Sequence, residues 1–239
     1  VHYMKALMET HALADNEARA FMVCWGYEEC FHGRALARIV EVCGHEPSRR
    51  SIDEFARPRK MTEVVQDFGG RFLSMLSKDF LATHMTWGAI NEWTANAAYN
   101  RLAQIADHPV LTELLGRIMR QEGRHAAYYA SYARDLLEGD PRAQRVTKWF
   151  LQHEWAVVGS GDVPKIETSF AAAYLFGSGD GAQLIERVEE RIDALPGLRG
   201  LNLVRTGIAE ATRHVCAEEG SVPAPPAVAH RVASHRIAS

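Results

Sequence analysis

Three long segments with apolar residues at three- and four-residue spacing each place a carboxylate at nearly the same depth, and this shared depth most limits the fold. Counted from the start signals Asp15, Asp79 and His108-Pro109, Glu29 lies 14 residues in, Glu92 lies 13 in and Glu122 lies 14 in. At the rise of an α-helix all three carboxylates sit roughly 20 Å from their helix starts, and helices of about 28 residues put them near mid-length. In antiparallel neighbours such groups meet at one level.

Two of the three carboxylates are followed one turn later by histidine, in Glu28-Glu29-Cys30-Phe31-His32 and Gln121-Glu122-Gly123-Arg124-His125. Positions i and i+3 share a helix face with Cβ atoms roughly 5–6 Å apart, so one metal ion can take both side chains of a pair. Two pairs plus single Glu residues on the other helices form the ligand pattern of a two-metal carboxylate site inside a helical bundle. The chain has 20 Glu and 11 His, so about one Glu-x-x-His arises by chance. The matched depth, rather than the motif, separates a metal site from the competing reading of buried charge pairs that neutralise each other.

Almost every other segment also reads as helix. The periodicity predicts helices over 2–13, 15–43, 61–77, 79–106 and 109–138, then 141–157, 167–176, 181–193 and 198–214. Asp15 and Asp79 are expected N-caps, Pro109 suits a first turn, and Gly139-Asp140-Pro141 stops one helix and opens the next. No run alternates with the two-residue period of a strand. Gly177-Ser178-Gly179-Asp180-Gly181 follows a helical stretch rather than a strand, so it reads as a turn and not as a phosphate loop. Residues 216–239, with three Pro and many Ala in the last part, read as a flexible tail after a single helical domain over 1–215.

Composition removes several function classes. With 47% hydrophobic and 24% charged residues the chain is globular, and no apolar run approaches the length of a membrane span. A net charge of −3 gives no reason to expect nucleic acid or an anionic membrane as partner. Cys24, Cys30, Cys43 and Cys216 form no Cys-x-x-Cys pair and read as reduced, mostly buried thiols of a cytoplasmic protein.

Around the two motifs the order Trp25, Glu28, Glu29, His32, Gly33 is followed by the lone Glu92 with Asn100-Arg101-Leu102-Ala103, and then by Gln121, Glu122 and His125. Over about residues 15–138 this resembles the acyl-acyl carrier protein desaturases of the ferritin-like superfamily. The resemblance implies an all-α fold with a ferritin-like four-helix bundle core and additional C-terminal helices. It implies metal ligands Glu29, His32, Glu92, Glu122 and His125 around two Fe ions, with Mn or a mixed Mn/Fe pair as the alternative. Glu28, Trp25 and Gln121 would stand beside the metals. The implied chemistry is reductive activation of O₂ and hydrogen abstraction from an acyl chain. Implied partners are acyl carrier protein or a small apolar substrate, an electron donor such as ferredoxin, and a second copy of the chain in a homodimer.

Three departures from the family pattern bear on this. The family's first helix supplies a further Glu, expected here at or before Val1, so the N-terminus reads as incomplete; Glu9 is the only acidic residue ahead of Asp15. Gln121 stands where the family has Asp, and Ala95 stands where it often has a hydroxyl, and groups that orient metal ligands tune affinity and redox behaviour. An N-oxygenase or hydroxylase of a small or carrier-bound substrate therefore stays open, as does a non-catalytic metal-binding or structural protein. Met85, Trp87, Ile90, Trp93, Tyr128 and Tyr129 are candidates for lining a substrate channel, although core packing is the commoner use of such residues. Arg49 and Arg50, with Arg57, Arg59 and Lys60, could dock an acidic partner or simply be solvated.

Overall fold

A computed structural model of the chain describes residues 16–45, 78–160 and 164–225. The expected helices over 2–13 and 61–77, the Asp15 cap, Glu9 and the basic group containing Arg49 and Arg50 lie outside the described residues. Among the described residues the fold is all-α, with no strand. Its helices are α1 (Asn16–Val42), α2 (Lys78–Ile105), α3 (Pro109–Leu137), α4 (Pro141–Glu154), α5 (Lys165–Phe176), α6 (Gly179–Asp193) and α7 (Leu203–Glu219).

Local chemistry sets several of these boundaries. His108 caps α3 by accepting the Leu111 N–H at Nδ1 (3.1 Å), ahead of Pro109, whose missing N–H costs nothing at a first helical position. Asp140 caps α4 by accepting the N–H groups of Arg142 and Ala143 at 2.9 and 3.0 Å. Two expectations are corrected. Asp79 lies inside α2, which is already helical at Lys78, so it is not the cap. The last helix starts at Leu203 and runs to Glu219, so the domain boundary expected at 215/216 falls inside it. The turn at Gly197 and Gly200 and the left-handed Asn202 delay its start, and Gly220 (φ 79°) ends it.

α2 is the central helix, packed on α3, α4, α5 and α6. Contacts of Gly88 with Tyr129 and of Asn96 with the Met119 carbonyl make α2 and α3 antiparallel. Contacts of Phe21 with Tyr128 and of His32 with Gln121 make α1 antiparallel to α3 as well. α1 and α2 are therefore parallel, and α5, α6 and α7 pack on one another beside α2. One hydrophobic cluster extends from Ala18 on α1 to Ile208 on α7. Its fully buried side chains, among them Met85, Ile90, Tyr129, Leu137 and Leu151, each contribute about 1.5–3 kcal/mol.

The inner faces of α1 and α3 have one feature in common. On α1 the heptad-like series Ala18, Met22, Trp25, Glu29, His32 begins apolar and becomes polar, and on α3 Leu115, Ile118, Glu122, His125, Tyr129 has the same spacing. The carboxylates and imidazoles thus occupy core positions, with the bundle's packing holding them. All four cysteines are exposed, against the expectation of buried thiols. Cys24 and Cys30 share the outer side of α1 with the exposed apolar residues Val23, Tyr27 and Phe31, so apolar character on this helix does not mark its buried side.

Candidate metal centre

The helical register brings all five expected ligands together. Glu122 presents one carboxylate oxygen to each imidazole: Oε1 lies 3.2 Å from His32 Nδ1, and Oε2 lies 3.1 Å from His125 Nδ1. Glu29 Oε1 likewise faces both, at 3.3 Å from His32 Nδ1 and 3.5 Å from His125 Nδ1. Glu92 Oε2 lies 3.8 Å from His125 Nδ1. One ligand atom each from Glu29, Glu92, Glu122 and His125 falls within a 4.8 Å cluster.

Both imidazoles turn Nδ1 inward because their other nitrogen is held from the neighbouring helix. His32 Nε2 pairs with Gln121 Oε1 at 2.7 Å, and His125 Nε2 pairs with Glu28 Oε2 at 2.7 Å. Gln121 Nε2 donates to Glu28 Oε1 (3.3 Å), which fixes the amide so that its oxygen is the atom facing His32. Nε2–H therefore donates in both rings when they are neutral, leaving an Nδ1 lone pair for the cluster. The residue before each motif Glu thus orients the histidine of the other motif. Glu28, although His32 is its own i+4 neighbour, orients His125 and also accepts from Arg124 (3.2 Å). Trp25 is beside the centre as expected, donating its indole N–H to Glu92 Oε1 at 2.7 Å.

Two buried carboxylates, Glu92 and Glu122, with the half-buried Glu29 this close, need positive charge. Burial alone would lower the imidazole pKa values, but the oxygens facing the rings outweigh it: Glu122, Glu29 and Gln121 raise His32 to about 10, and Glu122, Glu29 and Glu92 raise His125 to about 12. Burial pushes Glu122 up, yet the two imidazoles hold it down at about 2. Burial dominates at Glu92, raised to about 8 with Glu122 and Glu29 adding repulsion. Protons thus occupy the place that cations can take.

The donor set fits such cations. Glu29 Oε1 and His32 Nδ1 are buried and make no hydrogen bond, although they stand 3.3 Å apart. Ordinary folding leaves few such atoms, and a metal ion between them would satisfy both. Carboxylate oxygens and imidazole nitrogens with no thiolate suit divalent metal ions, zinc, iron and manganese among them.

A cavity of about 630 Å³ opens onto Glu29, Glu92 and Glu122. Trp87 lines it as expected of a channel residue. The other channel candidates pack instead: Met85, Ile90 and Tyr129 are in the core, Trp93 is buried with Arg191 over its ring, and Tyr128 stacks on Phe21 at 3.8 Å. Ala95 lines the same cavity.

The sequence reading missed His84, Asn91 and Tyr99 in this wall. Burial pushes His84 down to about 3, so it is neutral, and burial with the nearby Glu122, Glu29 and Glu92 drives the Tyr99 phenol upward. A signal was present in His84, Gly88, Asn91 and Ala95, which form a small and polar stripe at four- and three-residue spacing beside Glu92. A second cavity of about 410 Å³ shares Ala95, Tyr99 and the 157–159 segment with the first, and it runs on to Leu175 and Phe176.

No protein-family model, no curated protein and no solved structure matches this chain, so its function is read from the geometry of the centre.

Proposed function

We propose that this protein is a di-iron oxidoreductase that activates O₂ to oxidise an apolar substrate, as acyl-acyl carrier protein desaturases do. The observation that carries the reading is the pair of two-faced carboxylates, Glu29 and Glu122, each directed at both inward Nδ1 atoms. Parallel α1 and α2, both antiparallel to α3, support three helices of a ferritin-like bundle. When bound, a carboxylate-held iron pair supplies O₂ reduction and oxidation of an unactivated C–H bond.

The chain's own residues would do the rest. Glu29, His32, Glu92, Glu122 and His125 hold the ions, while Glu28, Gln121 and Trp25 fix the ligand orientations. The cavity beside the three carboxylates receives the substrate, and its continuation to Leu175 and Phe176 has room for an apolar tail. The low exposure of Glu92, Glu122 and His125 would limit bulk water to what enters through the cavity.

A second reading, hydroxylation or N-oxygenation of a smaller polar substrate, is favoured by His84 and Asn91 in the cavity wall next to Glu92. Carrier protein, ferredoxin and a second copy of the chain stay as partners to be tested, since Arg49 and Arg50 lie outside the described residues. None of the described helices is long and apolar enough to cross a membrane.

Iron-loaded protein should consume O₂ when reduced, and acyl-carrier and arylamine substrates should separate the two readings by product mass. Iron that binds but never consumes O₂ would leave a non-catalytic metal protein in their place.

A further inference from the structure

The two imidazoles of the centre are not equivalently supplied. Glu29 and Glu122 face both of them. Among the described residues Glu92 faces His125 and not His32, and the four-residue cluster within 4.8 Å likewise contains His125 and not His32. Trp25 strengthens that difference: by donating to Glu92 Oε1 it leaves Oε2 as the oxygen turned toward His125. Among the described residues, no counterpart of Glu92 stands beside His32.

A second difference lies behind the rings. His125 Nε2–H donates to the Glu28 carboxylate, whereas His32 Nε2–H donates to the Gln121 amide, both at 2.7 Å. An ionised acceptor draws the N–H proton more strongly than a neutral amide, making the opposite nitrogen a better electron donor to a metal. Gln121 cannot exchange its ends to compensate, because its N–H group is engaged by Glu28. Ligand number and ligand basicity therefore point the same way.

We infer that the two metal positions are unequal, the one at His125 filling first and holding its ion more tightly than the one at His32. This rests on the proposed metal-binding reading. Among the described residues the position at His125 has three carboxylates and a carboxylate-held imidazole, while the position at His32 shares two of those carboxylates and has an amide-held imidazole. Each orienting group is typically worth about 10- to 100-fold in metal affinity, so the phases should separate by at least about tenfold.

The test is titration of the metal-free full chain with Mn²⁺, following the electron paramagnetic resonance signal of the free ion, with circular dichroism confirming helicity in every variant. Two phases are expected. His32→Ala should keep the tight phase and lose the weak one, and His125→Ala should lose the tight one. Glu28→Gln, a change at a partly exposed position, should weaken the tight phase by about 10- to 100-fold and the weak phase less, since it reaches His32 only through Gln121. A single bound ion, kept in His32→Ala and lost in His125→Ala, is the limiting case of the same inequality. Two ions bound in one phase of equal affinity would overturn the inference while leaving the metal site intact, as would loss of the tight ion in His32→Ala. No bound Mn²⁺ in the parent chain, with iron equally unbound, would overturn the metal reading and this inference together.

Discussion

Replacing Gly88 by Ala should destabilise the protein although alanine is the better helix former. An added Cβ would lie 2.5 Å from Cδ1 and Cε1 and 2.9 Å from Cγ of Tyr129, where ordinary contact begins at 3.4 Å. The α2–α3 pair must therefore yield by about 1 Å, one turn from Glu92. Tyr129 cannot readily move. It is fully buried, with the rings of Phe21 and Trp25 against it at 5.0 and 5.9 Å and its hydroxyl directed at the Met22 sulfur. Overpacking of this kind costs about 1–3 kcal/mol, and a fixed ring puts it at the upper end. Helix propensity returns about 1 kcal/mol. The net loss is about 2 kcal/mol, which in a chain of this size lowers Tm by roughly 4–8 °C. Gly116 on α3 has nothing within 4 Å of its added Cβ, so Gly116→Ala should stabilise by up to about 1 kcal/mol. Thermal and denaturant unfolding of the metal-free protein, followed by far-ultraviolet circular dichroism, reads both. If Gly88→Ala proves as stable as the parent, the close approach of α2 and α3 at this level is wrong.

Trp25→Phe removes the donor to Glu92 Oε1 and should cost about 1–3 kcal/mol, the penalty of a buried acceptor left without its partner; an unchanged denaturation midpoint would refute the contact. The stability of the metal-free protein should fall as pH rises from about 6.5 toward 10. His32 and His125, raised to about 10 and about 12, keep protons there that the unfolded chain releases, and Glu92 at about 8 acts with the same sign. Glu122, lowered to about 2, works at the other end, so stability should also decline as pH drops below about 4.5. A midpoint that climbs between pH 7 and 9.5 would contradict these assignments. The exposed thiols Cys24, Cys30, Cys43 and Cys216 should all react with a thiol reagent in the native protein; reaction only after unfolding would restore the buried reading.

The elements legible in the sequence were those governed by neighbours in the chain. Pro109 and the Asp140-Pro141 pair mark helix starts because capping is settled within three residues. Glu29 with His32 and Glu122 with His125 could be paired because one turn of helix fixes their spacing, and Glu92 could be added because equal depth along antiparallel helices brings it to the same level. What depended on rotation between helices was not legible. Glu28 is four residues from His32 yet reaches His125, a choice made by how α1 turns against α3. The exposure of Cys24 and Cys30 follows from the same rotation, since Val23, Tyr27 and Phe31 make the outer side of α1 look like a core face. Tyr99 was hidden, and the stripe containing His84 was not assignable to a wall, because which side of α2 faces a cavity is decided only when α4 and the 156–160 segment close around it. Most of the aromatic residues considered for a channel serve the packing that holds the ligands in register.

The central claim is that Glu29, His32, Glu92, Glu122 and His125 hold iron and that the iron answers to O₂. The most direct measurement is the metal content and absorption spectrum of protein purified after aerobic expression with iron, beside Glu122→Ala. The proposed function predicts about two irons per chain, a ferric absorption that bleaches on reduction and returns with O₂, and loss of metal in the variant with its helices intact. Protein without iron, zinc that never responds to O₂, or full iron occupancy in Glu122→Ala would contradict it.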